Sequence, residues 1–304
     1  MKKVLSVACA LCMTTAMLTG CGSSNNAGTA ATGEAQNSAA ASTTTEQAST
    51  ATDAGTTLIA LITMDSLDQH WVTLNEGAQK AAAELGVTVQ FMAPNTKDDA
   101  QQIECVNNAV SAGAQAIIVA ANGPDAISSA LREASDAGVK LIYVDSPANV
   151  SAEATFSTDN NAAGKTAGEE MKKALADAGV TSGSIGIINV NAATDSCVMR
   201  EEGFRSAFEG TDFELLETQY GEGDAAKSQS IAENYITQGV VGIFGCNEGS
   251  TTGAGNAIKA SGKDNVIGVG FDKSDAILGL IDDGYLLCTI CLLYTSDAAD
   301  DTPC

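Results

Sequence analysis

The 304-residue chain carries 38 acidic against 15 basic side chains, a net charge of −23. That balance excludes nucleic acid as a partner, because binding it takes a basic footprint, and there is no basic amphipathic segment to lie on anionic lipid. With one histidine and cysteines scattered singly, the composition points to neither a metal centre nor a disulfide framework.

In chain order, Lys2 and Lys3 open a segment whose residues 4–17 are mostly apolar and which closes on Leu18-Thr19-Gly20-Cys21. This is the layout of a secretory signal, residues 1–20, too short to span a bilayer. Its last residues resemble the Leu-x-Gly-Cys box of bacterial lipoproteins. The resemblance implies cleavage before Cys21 and attachment of a diacylglyceryl group to its sulfur, an anchor that holds a protein on a membrane without spanning it. Residues 21–56 are largely Ala, Ser, Thr, Gly and Asn. They carry too few large apolar side chains to offset chain entropy, and read as a flexible tether.

The folded body begins at residue 57. Residues 58–64 are an apolar, branched run, the signature of a strand covered on both faces. A polar loop with Asp65, Ser66, Asp68 and Gln69 follows. Trp71, Leu74, Ala78, Ala81 and Leu85 then recur at helical spacing up to Gly86, which suits a helix C-terminus. Further strands are predicted at 87–92, 116–121, 139–145, 154–158, 184–190, 213–220, 240–245, 265–271 and 285–290. Helices are predicted at 98–112, 160–178, 194–209, 225–238, 249–261 and 274–283, and another starts at Asn122-Gly123-Pro124-Asp125, where Pro124 loses no needed N–H. Alternating βα units imply parallel sheets with helices on both faces and right-handed crossovers. The expectation is an α/β chain of two doubly wound lobes, residues 57–159 and 160–290.

Polar groups collect at the strand ends: residues 63–70, Asp145, residues 191–200, Asn247 and Asp272. That is the edge at which open parallel sheets bind ligands. Carboxylates and amides there suit vicinal hydroxyls, and Trp71 offers an aromatic face to a sugar ring.

Six segments, in order, carry a resemblance: NEGAQKAAAELGV from Asn75, AIIVAANGPDAI from Ala116, STDNNAAGKTAGEEM from Ser157, MREEGFRSAF from Met199, IFGCNEGSTTGAGNAI from Ile243 and VIGVGFDKSDAI from Val266. Residues 57–290 resemble the ribose- and galactose-type substrate-binding proteins of bacterial ABC transporters, the type I periplasmic binding fold. The resemblance implies two lobes joined by hinge strands that close on one small molecule. It implies an extracytoplasmic monomer that delivers a sugar or polyol to a membrane permease, with no cofactor and no metal. Family binding positions fall on Thr63, Asp68, the aromatic pair His70 and Trp71, Arg200, Asn247 and Asp272. The family's Asp-Arg after the fourth strand becomes Asp145-Ser146, so that arginine is absent and the ligand need not be ribose.

Two other readings stay open: a sensor or uptake receptor for a non-sugar molecule such as a signalling compound or nucleoside, and an extracellular hydrolase on the same fold. The second has little to stand on, since one histidine and no nucleophile elbow give no triad. Residues 221–228 imitate a phosphate-binding loop, but Ala226 replaces the glycine before Lys227 and the stretch reads as an ordinary βα loop. Finally, Cys291-Leu-Leu-Tyr-Thr-Ser-Asp-Ala-Ala-Asp300 resembles the translation of a sequencing adaptor. This implies that the natural chain diverges after about Ile290, that Cys288 and Cys291 do not form a motif, and that Leu292 stands where the family has a polar, ligand-touching residue. Residues 291–304 are accordingly expected to be non-native and the fold C-terminally truncated, with reduced stability and exposed apolar surface.

Overall fold

A computed structural model describes residues 56–292. The signal segment, Cys21, the tether before residue 56 and the tail 293–304 lie outside the described residues. Five strands form a first sheet: β1 (Leu58–Ile62), β2 (Thr88–Met92), β3 (Ala116–Val119), β4 (Lys140–Val144) and β5 (Ala154–Phe156). They pair in parallel in the order β2-β1-β3-β4-β5. The helices α1 (Gln69–Leu85), α2 (Asp99–Ser111) and α3 (Ser128–Asp136) connect them. Because β1 to β2 runs one way along the sheet and β2 to β3 the other, right-handed crossovers put α1 on the face opposite α2 and α3. Leu58, Ala60 and Ile62 of β1 pack with Val106 and Ala109 of α2 and Leu131 and Ala134 of α3 in one continuous core.

The chain enters the second sheet through Ser157, Thr158 and Asp159. Its strands are β6 (Gly183–Asn189), β7 (Phe213–Leu215), β8 (Gln219–Tyr220), β9 (Gly242–Gly245), β10 (Ile267–Phe271) and β11 (Cys288–Ile290). The order β7-β6-β9-β10-β11 repeats that of the first sheet, and β8 also pairs with β6. Helices α4 (Asn160–Asp177) and α5 (Asp195–Ala207) cover one face, with Met171, Leu175, Phe204 and Phe244 in their core. Helices α6 (Ala225–Gln238) and α7 (Glu248–Ser261) cover the other, around Ile188, Ala232, Ile243 and Ala254. Helix α8 (Asp275–Asp282) precedes β11.

Local chemistry sets the helix ends. Asp98, Asp159, Asp224, Asn247 and Ser274 each accept a hydrogen bond from the backbone N–H three residues on, satisfying an orphan donor of the first turn. Gly86, at φ 69°, ends α1 in the left-handed conformation that glycine tolerates best. The 221–228 segment is the turn into α6, with Asp224 as its cap and Lys227 paired to Glu222 at 2.6 Å.

Two expectations need correction. Helix α3 starts at Ser128, not at Pro124. Asn122 is pinned by Gln102 and Asp99, and residues 123–127 spend their hydrogen bonds on turns, the N–H of Ile127 reaching Gly123 and that of Ser128 reaching Asp125. The strand predicted at 213–220 is two short strands. Between them the Leu216 carbonyl and the Thr218 hydroxyl accept from Arg205, and the Glu217 carbonyl accepts from Tyr235. In line with the strands predicted at 139–145 and 154–158, no helix lies between β4 and β5, whose connection is closed by the Tyr143 hydroxyl on the Val150 carbonyl at 2.9 Å.

Candidate ligand-binding site

The carboxyl ends of the two sheets face each other across a cleft. Met64, Asp68, His70, Trp71, Lys97 and Asp145 line it from the first sheet, and Val190, Ser196, Cys197, Arg200, Asn247, Asp272 and Leu292 from the second. The free space between them is ≈ 20 Å³, room for about one water molecule, so the lining side chains nearly fill the cleft. Both sheets reverse strand order beside this cleft, between β1 and β3 and between β6 and β9, and such switch points are where open α/β sheets take ligands.

Asp145 and Asp272 follow β4 and β10. Each adopts a left-handed backbone, φ 62° and 73°, which a short polar side chain tolerates better than most. The N–H of Asp145 bonds the last carbonyl of β5, at Phe156, and that of Asp272 the last carbonyl of β11, at Ile290. These ties turn the two carboxylates off the sheets and into the cleft.

Arg200 on α5 is buried. Its Nε donates to Asn160 Oδ1 at 2.8 Å and its Nη1 to the Cys246 carbonyl at 3.0 Å, while Nη2 stands 3.5 Å from Asp145 Oδ2. The guanidinium lies 4.6 Å over the Phe271 ring. Its Nη1 also lies 4.0 Å from the Cys197 sulfur, so one of its five N–H groups is left for a ligand. His70 Nε2 lies 3.7 Å from the same Asp145 oxygen, and the His70 and Trp71 rings meet edge to face at 4.5 Å. Trp71 packs on Met64 and Ala120, so it belongs to both core and cleft.

Asp272 Oδ2 accepts from the Glu248 N–H at 2.7 Å. Asn247 caps α7 through Oδ1, which also accepts from the Ser250 hydroxyl at 2.6 Å. Asp272 Oδ1, Asn247 Nδ2 and Trp71 Nε1 are buried and have no hydrogen-bond partner among the described residues. Left unpaired, such groups cost about 1–3 kcal/mol each. A ligand with hydroxyls would satisfy all three.

Seven of the eight ligand positions expected from sequence thus converge. The eighth, Thr63, is fully buried beneath the cleft. Its hydroxyl donates to the Asp65 carbonyl at 2.7 Å and its own carbonyl accepts from Gln102. Two further polar residues were not anticipated, Lys97 and Glu248, whereas Asp65 and Ser196 fall in the polar stretches 63–70 and 191–200 already marked at the strand ends. Lys97 follows β2, at the same edge as the rest, and surveying that strand end would have found it. Its ammonium pairs with Asp65 and, at 2.6 Å, with Asp68. Burial opposes that charge, but Asp68 and Asp65 outweigh it and raise the Lys97 pKa. Asp65 is held below its ordinary range: burial pushes its pKa up, but Lys97 and the N–H groups of Asp68 and Leu67 prevail. Asp68 goes the other way, to about 6, through burial and the charges of Asp65 and Asp272 against the pull of Lys97. Glu248, the first residue of α7, accepts from the backbone N–H groups of His70 and Gln69 at the start of α1; burial, then Asp68 and Asp272, push it up to about 7. Cys197 and Cys246 are buried thiols, Cys197 raised to about 11 by burial.

The profile of the periplasmic binding protein domain matches residues 59–292. The chain belongs to this family. Its fold is the type I periplasmic binding fold, as the paired parallel sheets require. The ribose import binding protein RbsB of Haemophilus influenzae is 29% identical over 245 residues, 80% of this chain and 81% of that protein. Among solved structures, an ABC transporter solute binding protein from Agrobacterium vitis with bound D-fucose superposes with a TM-score of 0.72 at 28% identity, covering 76% of this chain and 82% of the other. A carbohydrate transporter solute binding protein from Agrobacterium radiobacter in complex with D-arabinose gives 0.73 at 26%, covering 77% and 82%. These relatives are binding proteins of sugar importers.

Proposed function

We propose that this periplasmic binding protein captures a small sugar or polyol between two lobes, residues 57–159 and 160–290, and delivers it to an ABC transporter permease. The observation that carries the reading is the convergence of Asp145, Asp272, Asn247, Arg200 and Trp71 on one cleft, with buried donors and acceptors that have no partner among the described residues. Asp68, Asp145, Asn247 and Asp272 bind hydroxyls, Arg200 donates to a hydroxyl or ring oxygen, and Trp71 with His70 covers a ring face. Thr63 acts from beneath, by holding the Asp65 loop. A ligand that touches both lobes favours the closed arrangement by its differential affinity, and closure is the signal a permease reads. Acylated Cys21 and the tether keep the protein on the membrane, outside the cytoplasm and monomeric.

Two experiments test this. Thermal shift and calorimetry against a monosaccharide panel are expected to give a sugar-specific response that Asp145→Ala abolishes. A stabilised melt with no sugar in the panel contradicts the reading. Metabolic labelling with radioactive palmitate is expected to mark the protein and to miss a Cys21→Ala variant; equal labelling of both contradicts the anchor.

A further inference from the structure

The charges of the cleft do not balance. Five carboxylates act on it, Asp65, Asp68, Asp145, Asp272 and Glu248, against two permanent cations, Lys97 and Arg200. The charge of Lys97 is matched by Asp65 and Asp68, and that of Arg200 by Asp145, though Arg200 can still donate to a hydroxyl. Among the described residues Asp272 and Glu248 form no ion pair, and each keeps one buried carboxylate oxygen, Oδ1 and Oε2, without a hydrogen-bond partner. The charge of Asp272 reaches both Asp68 and Glu248, and that of Asp68 reaches Glu248.

A neutral polyol can lend one hydrogen per hydroxyl to these oxygens, but it brings no charge. Buried carboxylates without a counter-charge are expensive. A metal ion is the usual alternative, yet among the described residues no three His, Cys, Asp or Glu side chains converge closely enough to hold one. A wider cation with its own N–H donors remains. An ammonium offers three hydrogens and a full charge, and hydrogen bonds between charged groups are about twice as strong as neutral ones.

We infer that the ligand of this cleft is a polyol bearing a protonated amine, an amino sugar or amino-alditol, with its ammonium between Asp68 and Asp272 and its hydroxyls toward Asp145, Arg200 and Asn247. This rests on the capture reading above and narrows its ligand class. Glu248 acts as a specificity residue through its charge, since its carboxylate is held by α1 rather than turned toward the ligand.

The test is calorimetry on the full chain at pH 7, with D-glucosamine, D-galactosamine and D-glucamine beside D-glucose, D-galactose, D-sorbitol and the N-acetylated hexosamines. At least one amine is expected to bind roughly tenfold or more tightly than its hydroxyl counterpart, and N-acetylation to remove that advantage. Asp68→Asn and Glu248→Gln, each nearly isosteric, are expected to reduce the amine-over-hydroxyl ratio by about tenfold, with melts and circular dichroism confirming that both fold. A neutral sugar that binds as tightly as its amine overturns the inference and leaves the capture reading standing. Amine preference unchanged in both variants overturns the assigned ammonium position. No binding by any compound of either set counts against capture of a sugar or polyol itself.

Discussion

Asp145 and Asp272 show how much of the site hangs on two backbone corners. Both are left-handed, both point a carboxylate at the cleft, and both are tied to the neighbouring edge strand. Alanine at Asp272 would keep the unfavourable backbone and lose the bond to the Glu248 N–H. We expect Asp272→Ala to lower stability by about 1–3 kcal/mol in urea unfolding and to abolish ligand binding; Asn, which tolerates the same backbone, should recover most of the stability. Lys97→Met is the harsher change, because it leaves Asp65 and Asp68 facing each other in a buried site. A loss of about 3–5 kcal/mol is expected in the same measurement. The pH dependence follows from the raised acids. Glu248 faces Asp68, Asp272 and the N–H groups of α1, and Asp68 faces Lys97, Asp65 and Asp272. Their folded values, about 7 and about 6, lie above the ordinary 4.5 and 3.8. Between those limits the folded state holds more protons than the unfolded one, so stability falls as pH rises through this window. Asp65, held below 3.8, contributes stability that is lost only in stronger acid. The ligand-free protein is therefore expected to melt at a higher temperature at pH 5.5 than at pH 7.5, with a smaller difference in Glu248→Gln. Asp145, Arg200, Asn247 and Asp272 were legible in the sequence because each sits in a segment with its own local signature. Glu248 was not, because what makes it matter is the charge of residues distant in sequence, and Lys97 is marked only by its place after β2, at the same edge as the rest.

At the scale of elements, the placement of Arg200 depends on how closely α4 and α5 approach. A methyl on Gly164 would collide with the Arg200 carbonyl, and one on Gly203 with the Asn161 carbonyl, so the two helices touch through bare backbone. Any side chain there would push α5 off α4 and carry Arg200 away from Asn160 and Asp145. Gly164→Ala, remote from the ligand, is expected to cost about 1–3 kcal/mol of stability and to weaken binding at least several-fold, measured by melting and calorimetry on one sample. Most helices were legible because caps and apolar spacing are local facts. The start of α3 and the break between β7 and β8 were not, since distant side chains decide them: Asp99 and Gln102 hold Asn122, and Arg205 and Tyr235 take the carbonyls of Leu216 and Glu217.

At the scale of the molecule, closure rests on few direct bonds. The Thr194 hydroxyl donates to the Asn122 carbonyl at 2.8 Å and the Ser146 hydroxyl to that of Ser196 at 2.7 Å, alongside Arg200 with Asp145 and Glu248 with α1. Each neutral bond contributes about 1 kcal/mol, small enough for a ligand to govern the balance. Thr194→Val is therefore expected to give a larger radius of gyration without ligand, read by small-angle scattering, and to return to the compact value with it. Two lobes of alternating strands and helices were legible because hydrophobic periodicity carries them. The bonds between lobes have no periodicity, and nothing in the sequence marks them. The sheets repeat one strand order, and each ends a strand on the same aspartate corner. A cleft made of two such corners alone would present the same face to both ends of a guest. Here Lys97, Asp68 and Trp71 stand on one side, and Arg200 and Asn247 on the other. The broken likeness gives the cleft a head and a tail, so a guest has one way round to lie in it, and closing on it reports its orientation as well as its presence.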